Sequence, residues 1–409
     1  MPFNRLSQAL NAEIATIDGR GSSKRHEVVI VDVAPPRDGH GPRYLLQGEG
    51  PRLFLKMNSN NYLGMGLRRP VIQAEEAAVG RFGCGPGAVR FISGTYEPHV
   101  ALEARLAAFH AREAAMIFSS AYATIISTIV PLITGETALI SDELNHNCII
   151  NAMRLARPKE KFVYKHNQVA ELEACLAKAA AIGAKRAVVV TDGIFSMRGD
   201  HAPLVEIQAV VRKFDERFPE NAVLVVDDSH GVGAFGGSGR GTEEFTGCEP
   251  VDILVGTLGK AFGVNGGYVT GARVLVDFLR ESSMMYIYSN PITPAEAAAA
   301  KVAVDILDSP EGLDLLKHLR AMTAKFEKGL IDLGFETIRG DHPVTPLVVR
   351  DTPKTQALVK HLFANGILAT GLSYPVVPKG DEEIRFQVSA DHTAKDIDTV
   401  LGALTTFRG

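Results

Sequence analysis

Ala222-Val223-Leu224-Val225-Val226-Asp227-Asp228-Ser229-His230 is an apolar run that ends in two aspartates and a histidine. The next apolar run, residues 252–255, leads into Gly256-Thr257-Leu258-Gly259-Lys260-Ala261-Phe262-Gly263. Such runs predict buried parallel strands, whose carboxyl ends meet at one edge of a sheet. A lysine amine can form a Schiff base with pyridoxal phosphate, and a buried aspartate keeps the pyridine nitrogen protonated. Asp227 and Lys260 therefore predict a pyridoxal phosphate site.

Two other motifs compete with this interpretation. An aspartate pair and a Gly-Lys pair also occur in magnesium-dependent nucleotide hydrolases, but their phosphate loop needs Ser or Thr after the lysine, where this chain has Ala261. Residues 231–236, GVGAFG, match the dinucleotide-binding pattern. Four polar residues separate them from the strand, and more glycines follow where a helix should begin. We interpret this segment as a mobile glycine-rich loop.

Composition describes an ordinary enzyme of 409 residues with 46% hydrophobic residues, 22% charged residues and a net charge of −4. That charge lacks the basic excess that favours nucleic acid binding. The four cysteines have no zinc-ligand spacing, so we predict reduced thiols and no metal site. The amino terminus lacks a secretory signal, and the apolar run 121–134 is shorter than the about 20 residues that span a bilayer. A cytoplasmic protein without a membrane span is expected.

The order of patterns predicts a large α/β domain and a smaller one, since the length exceeds the roughly 250–300 residues of a single core. Between residues 70 and 290 apolar runs alternate with helical patterns, which favours a mainly parallel sheet covered by helices. Helical patterns at 294–307 and 312–333, strands near 346–349 and 384–388, and a helix near 393–407 follow. We predict an N-terminal arm at 1–60 with strands at 26–31 and 52–57, a large domain at 61–291 and a small domain at 292–409.

Several motifs together resemble the α-oxoamine synthases, which are fold-type-I pyridoxal phosphate enzymes. The resemblance implies an aspartate aminotransferase-like fold and the condensation of an amino acid with an acyl-CoA. Segments 374–380 and 384–393 are similar to the glycine C-acetyltransferase branch, which implies glycine and acetyl-CoA as substrates. The family motifs are Asn60–Gly64, Arg90–Thr95, Ser141–His146, Thr191–Met197, Val226–Gly231 and Gly256–Lys260.

The resemblance assigns roles around the cofactor ring. Lys260 would carry the cofactor and later remove the Cα proton, and Asp227 would pair with the ring nitrogen. His146 would stack on the ring, while His230 and Ser196 would bond near its phenolic oxygen. Each assignment has a plainer alternative, such as a turn lysine or a structural histidine.

The phosphate and the partner subunit are assigned in the same way. The N–H groups of Ala121 and Tyr122 would bind the phosphate at a helix start, with the hydroxyl of Thr257. Ser289 would reach the phosphate from a second subunit, which implies a homodimer with shared active sites. Ser119-Ser120 could equally be an ordinary helix cap.

The amino-acid carboxylate would bind to Arg385, whose planar fork can make two parallel hydrogen bonds. Asn60 would assist it. An exposed salt-bridge arginine is the alternative. Glu383 stands two positions earlier, where family members commonly carry arginine.

Two other functions stay open. One is a decarboxylating synthase with a longer acyl chain, similar to serine palmitoyltransferase or 8-amino-7-oxononanoate synthase. The other is a non-catalytic partner subunit, against which the presence of Lys260 argues.

Overall fold

The computed structural model describes residues 3–20, 23–25, 27–374 and 377–407. The predicted strand at 26–31 begins at His26, and the branch motif 374–380 includes Pro375 and Val376; these three residues lie outside the described ones. In the described part, the first strand begins at Ile30.

A seven-stranded sheet forms the centre of the fold, in the order β4-β10-β9-β8-β7-β5-β6. Every neighbouring pair is parallel except those made by β10, which is antiparallel to both β4 and β9. The predicted runs all appear as strands, whereas β10 was not predicted. The strands are β4 (Ala114–Phe118), β5 (Thr137–Asp142), β6 (Glu160–Tyr164), β7 (Arg186–Asp192), β8 (Ala222–Asp227), β9 (Ile253–Thr257) and β10 (Gly267–Gly271).

Helices follow most of these strands and cover the sheet, as the alternating pattern predicts. Val188, Val190, Val225 and Val255 pack toward one layer of helices, and Val189, Leu224, Val226 and Leu254 toward the other. The helices are α1 (Asn4–Gly19), α2 (Arg69–Phe82), α3 (Glu97–Phe109), α4 (Ala121–Leu132), α5 (Asn147–Leu155), α6 (Val169–Ala181), α7 (Leu204–Phe214), α8 (Thr242–Thr246), α9 (Arg273–Ser282), α10 (Met284–Ile287), α11 (Pro294–Leu307), α12 (Pro310–Asp332), α13 (Thr352–Ala364) and α14 (Ala394–Thr405).

Two four-stranded sheets complete the fold. One joins N-terminal and C-terminal segments, because β3 pairs in parallel with β13. The other has the order β11-β12-β15-β14 and packs on α12 and α13, which in turn contact α14. The division at residues 60 and 291 stays a prediction. The strands are β1 (Ile30–Ala34), β2 (Arg43–Leu46), β3 (Leu53–Lys56), β11 (Glu336–Thr337), β12 (Val344–Val348), β13 (Ile367–Leu368), β14 (Thr370–Leu372) and β15 (Glu383–Gln387).

The glycine-rich segment after β8 is not a loose surface loop, so that interpretation is wrong. Residues 231–236 are all buried. The Asp228 carboxylate accepts hydrogen bonds from the N–H and hydroxyl of Thr242 at 2.7 and 2.6 Å, which ties both ends of the segment together. A Cβ at Gly231 or Gly241 would lie within 2.1 Å of this carboxylate. The glycines therefore let the chain wrap around a buried aspartate.

Across the described residues, no helix is long and apolar enough to cross a membrane. The cytoplasmic location stays a prediction. The four cysteines are free, as predicted, and only Cys84 is exposed.

Candidate active site

A small cavity, with a volume of about 40 Å³, lies where β5, β7, β8 and β9 end. The carboxyl ends of strands are where α/β sheets bind ligands. The cavity brings together seven predicted residues: Ala121, Tyr122, His146, Ser196, Asp227, His230 and Lys260. Four further lining residues had no predicted role: Cys148, Asp192, Ile194 and Ser229.

Lys260 lies on the tight loop after β9. The N–H of Gly263 donates to the Lys260 carbonyl at 2.9 Å, and Gly263 has a φ of 68°. A Cβ there would lie 2.2 Å from the Gly66 nitrogen, so the turn requires glycine. Desolvation lowers the pKa of Lys260 to about 8, despite the opposing carboxylates of Asp227 and Asp192. A larger fraction of the amine is thus unprotonated and nucleophilic near neutral pH.

Asp227 ends β8 and is 5% exposed. One carboxylate oxygen accepts from the Ser229 N–H at 3.1 Å, and the other accepts from the Cys148 thiol at 3.6 Å. Both contacts leave acceptor capacity on a carboxylate that borders the cavity. Asp227 can therefore accept a further hydrogen bond from a protonated ring nitrogen.

Asp192 and Ser229 each have a buried oxygen without a hydrogen-bond partner among the described residues. Asp192 Oδ2 accepts from the His146 N–H at 3.0 Å, while its Oδ1 is buried without a hydrogen bond among the described residues. The hydroxyl of Ser229 is also buried and unpaired there. Burial and the neighbouring Asp227 raise the pKa of Asp192 well above its usual value. Buried unpaired groups in a concave site are typical of ligand sites.

His146 is held at the start of α5 and borders the cavity. Its ring nitrogen Nδ1 accepts from the Cys148 N–H at 3.3 Å, which caps the helix. Desolvation, together with the positive charges of Lys260 and Arg385, lowers the pKa of His146. A neutral imidazole is suited to stack against an aromatic ring.

His230 is anchored by Tyr62, which lies in the predicted motif Asn60–Gly64 but had no predicted role of its own. Tyr62 Oη lies 2.8 Å from His230 Nδ1, and His342 Nε2 lies 2.8 Å from the His230 carbonyl. Burial, Lys260 and Arg385 lower the pKa of His230 well below its usual value. This leaves a neutral imidazole at the cavity.

The first turn of α4 provides free donors at the cavity. Ser120 caps the helix by accepting from the Ala123 N–H at 3.1 Å. No hydrogen bond of the described residues uses the N–H of Ala121 or Tyr122. The cap and the anion site therefore coexist, because the cap uses a different N–H. Thr257 is buried beside the lysine loop, where its hydroxyl donates to the Gly266 carbonyl at 3.2 Å, outside the cavity lining.

Arg385 and Asn60 form a second wall beside the cavity. Arg385 Nη2 donates to Asn60 Oδ1 at 3.4 Å, and with the Gln387 amide oriented to suit its neighbours, Arg385 Nη1 donates to its oxygen at 2.9 Å. Arg385 Nε is buried and unpaired among the described residues. Its alternating neighbours Ile384 and Phe386 are fully buried in the core. Arg385 makes no ion pair within the described residues, which disfavours the surface salt-bridge alternative.

Ser289 does not line the cavity of this single chain. It is partly buried and follows Tyr288, which is 80% exposed. A role toward a second subunit stays a prediction.

Comparisons with known proteins place this geometry in context. The family described as aminotransferase class I and II matches residues 53–404. The chain is 41% identical to 8-amino-7-oxononanoate synthase of Thermosipho melanesiensis, over 85% of this chain and 86% of that one. It is 37% identical to mitochondrial 2-amino-3-ketobutyrate coenzyme A ligase of Bos taurus, over 98% of this chain and 91% of that one. A structure of SPT with a PLP internal aldimine matches with a TM-score of 0.87 and 27% identity. The match covers 97% of this chain and 96% of that one.

These matches confirm the fold-type-I fold and indicate pyridoxal phosphate as the cofactor. The donor set fits it: a lysine amine of lowered pKa, an aspartate with a free acceptor position and unused helix N–H groups border one cavity. Lys260 would hold the aldehyde carbon, Asp227 the ring nitrogen, and the first turn of α4 the phosphate.

Proposed function

Because the chain belongs to the aminotransferase class I and II family and is an α-oxoamine synthase relative, we propose that it condenses glycine with acetyl-CoA. The product is 2-amino-3-ketobutyrate, and free CoA is released. The observation that carries the proposal is the pairing of Lys260 and Asp227 across one cavity with Arg385 beside it. When bound, pyridoxal phosphate supplies a sink for the electron pair left on the substrate Cα.

Lys260 acts as the base at the substrate Cα. Its pKa of about 8 is close to the operating pH, which favours proton transfer in both directions. Asp227 would keep a proton on the ring nitrogen. His146 would stack on the ring and His230 would bond near its phenolic oxygen, and the lowered pKa values of both histidines favour their neutral forms. No residue in this group needs to change charge other than Lys260.

Arg385 and Asn60 orient the amino acid by its carboxylate. Arg385 has a free buried Nε and a guanidinium held by Asn60 and Gln387, so its fork is fixed in place before substrate binds. A fixed carboxylate also fixes the Cα proton relative to Lys260. Retention of this carboxylate distinguishes the proposed reaction from a decarboxylating one.

A second candidate reaction uses a longer acyl chain. The 41% identity to 8-amino-7-oxononanoate synthase supports it, since it exceeds the 37% identity to the ligase. The identity to the ligase extends over 98% of this chain, against 85% for the synthase. We favour the ligase reaction on this coverage and on segment 384–393.

One experiment separates the two. Purified protein reconstituted with pyridoxal phosphate is incubated with glycine, alanine or serine and with acyl-CoA of increasing length, while CoA release and carbon dioxide are measured together. Glycine and acetyl-CoA should give CoA first, with carbon dioxide appearing only later as the released β-keto acid decarboxylates in solution. Release of carbon dioxide in step with CoA from the first turnovers, with preference for a longer chain, would establish the second candidate instead.

We further propose a homodimer in which Ser289 of one subunit completes the phosphate site of the other. An exposed apolar group supports it, since Phe91, Ile92 and Tyr288 are 63, 68 and 80% exposed. Mixed dimers test this proposal. Lys260→Ala and Ser289→Ala chains, combined in one dimer, should regain one site of two if Ser289 acts across the interface. If Ser289 acts within its own chain, one intact site per mixed dimer cannot arise.

A further inference from the structure

Strand β15 presents a row of polar side chains on one face. Glu383, Arg385 and Gln387 alternate with Ile384 and Phe386, which are fully buried in the core. Successive side chains of a strand point to opposite faces, so the three polar residues share the face opposite the core.

Arg385, in the middle of this face, stands beside the candidate active site, although no residue of the row lines the cavity itself. Arg385 bonds to Asn60, and its positive charge lowers the pKa values of His146, His230 and Lys260. Glu383 continues the row by about 7 Å, the spacing of two strand residues. It therefore lies next to the proposed carboxylate-binding arginine.

Glu383 is buried, and within the described part of the chain its carboxyl group has no hydrogen-bond or ion-pair partner. Its residue is 5% exposed, and Oε1 is buried with no hydrogen bond among the described residues. Its cross-strand neighbours are Val348 on β12 and Leu372 on β14, which offer no donor from their side chains. Burial raises the pKa of Glu383 to about 7, while Arg385 and Arg198 act in the opposite direction.

A structural role does not account for this carboxylate. Glu383 forms no ion pair with Arg385 within 4 Å in the described part of the chain, although both lie on one face. An unpaired buried carboxylate destabilises a fold, and an apolar residue of similar size would suit Val348 and Leu372 better. Its neighbour Glu382 shows the contrast, since it accepts from Thr352 Oγ1 at 3.1 Å and from the Gly380 N–H at 3.0 Å.

We propose that Glu383 is a specificity-determining residue that accepts a hydrogen bond from a hydroxyl or amide N–H of the bound substrate. The proposal rests on the condensation function above. Two substrates carry such a donor: an amino acid with a side-chain hydroxyl, such as serine, and the pantetheine arm of the acyl-CoA with its amides. In either case the substrate donor satisfies the carboxylate that the fold leaves open.

The test uses Glu383→Leu, which removes the acceptor, and Glu383→Gln, which keeps an acceptor oxygen and the size. Steady-state kinetics of the reconstituted enzyme would be measured with glycine, serine and acyl-CoA. Glu383→Leu should raise one KM roughly tenfold or more, the factor for a hydrogen bond to a charged group, with kcat within about threefold. Glu383→Gln should restore part of the loss.

The pattern of KM values identifies the donor. A rise for serine without a rise for glycine assigns the amino-acid hydroxyl. A rise for acyl-CoA with either amino acid assigns the pantetheine amides. Unchanged KM values for all three substrates overturn the proposal.

Stability without substrate gives a second readout that does not depend on turnover. Glu383→Leu should raise the Tm of the cofactor-loaded enzyme, whereas Glu382→Leu should lower it with unchanged KM values. A lower Tm for Glu383→Leu together with unchanged kinetics would show a structural residue.

The two proposals fail separately. If the wild-type protein condenses no amino acid with any acyl-CoA, the condensation function fails, and the Tm shift caused by serine or CoA then reports on Glu383. A shift that Glu383→Leu abolishes supports the proposal, and a shift that survives overturns it.

Discussion

Side chains at the carboxyl ends of the large sheet border the cavity, whereas Arg385 on β15 stands beside it. The first wall consists of the cavity-lining residues that follow β5, β7, β8 and β9. There His230 is fixed by Tyr62, and Asp192 Oδ2 accepts from the N–H of His146. In the second wall Arg385 Nε and Glu383 Oε1 are buried and unpaired among the described residues. Buried unpaired oxygens also occur in the first wall, at Asp192 Oδ1 and Ser229 Oγ, so the two walls differ in place: the first borders the cavity, and the second stands beside it. Under the proposed roles, the first wall would hold the cofactor and the second would bind the substrate, which would separate catalysis and selectivity between two parts of the chain.

Loss of Lys260 should have the largest effect. Lys260→Ala is expected to lower kcat at least about 10³-fold, since a positioned proton-transfer group contributes about 10²–10⁴-fold and covalent attachment is lost as well. CoA release under saturating substrates measures it. The fold should persist, because the truncated side chain borders an existing cavity. Wild-type turnover in a variant of unchanged circular dichroism would contradict the assignment.

The adjacent aspartates allow a matched comparison. Asp227→Asn should lower kcat by about 10²-fold or more with little change in Tm, since a neutral amide no longer stabilises the protonated ring nitrogen. Asp228→Ala should instead lower the free energy of unfolding by about 1–3 kcal/mol, because the Thr242 N–H and hydroxyl lose their acceptor. Kinetics and thermal unfolding of both variants measure the difference. Equal effects on kcat and Tm in the two variants would contradict the assignment of a cofactor role to Asp227 and a structural role to Asp228.

The sequence predicted the first wall better than the second. Apolar runs locate β4–β9, and polar residues directly after them must meet at one edge, so Asp227, His230 and Lys260 follow from local pattern. Strand β10 was missed because Gly267-Tyr268-Val269-Thr270-Gly271 is short, glycine-bounded and paired antiparallel to a strand far away in sequence.

The hydrogen-bond partners of the site residues could not be predicted either, because they come from segments that are distant in sequence. Tyr62 meets His230 and Asn60 meets Arg385 only after three sheets have assembled, and no local periodicity records those contacts. The resemblance supplied Arg385 and Asn60 by position, without their partners. Glu383 was visible as an unusual residue, but its burial without a partner required the structure.

The second wall should respond to a change that keeps charge. Arg385→Lys is expected to weaken amino-acid binding by about 1–3 kcal/mol, the range for hydrogen bonds to charged groups, because lysine lacks the planar fork. Spectroscopic titration with glycine measures the affinity, and cofactor loading serves as the control. Unchanged glycine affinity with a raised KM for acyl-CoA alone would move Arg385 to the thioester side of the site.

The smallest effect concerns the loops that carry the first wall. His166 lies 3.2 Å from Asp142 Oδ1 and 3.1 Å from Asp200 Oδ2, which links the loop before His146 to the loop after Ser196. These hydrogen bonds raise the pKa of His166 to about 9, even though burial acts against them.

Since the folded-state pKa is above the unfolded value of about 6.5, protonated His166 stabilises the fold fully below that pH. The contribution is lost as pH rises toward 9. His166→Gln should therefore be less stable than wild type at pH 6 by about 1–3 kcal/mol, with the gap closing by pH 9.5. Urea unfolding at both pH values measures the gap. A gap independent of pH would show that the hydrogen-bond geometry of His166, and not its charge, joins the two loops.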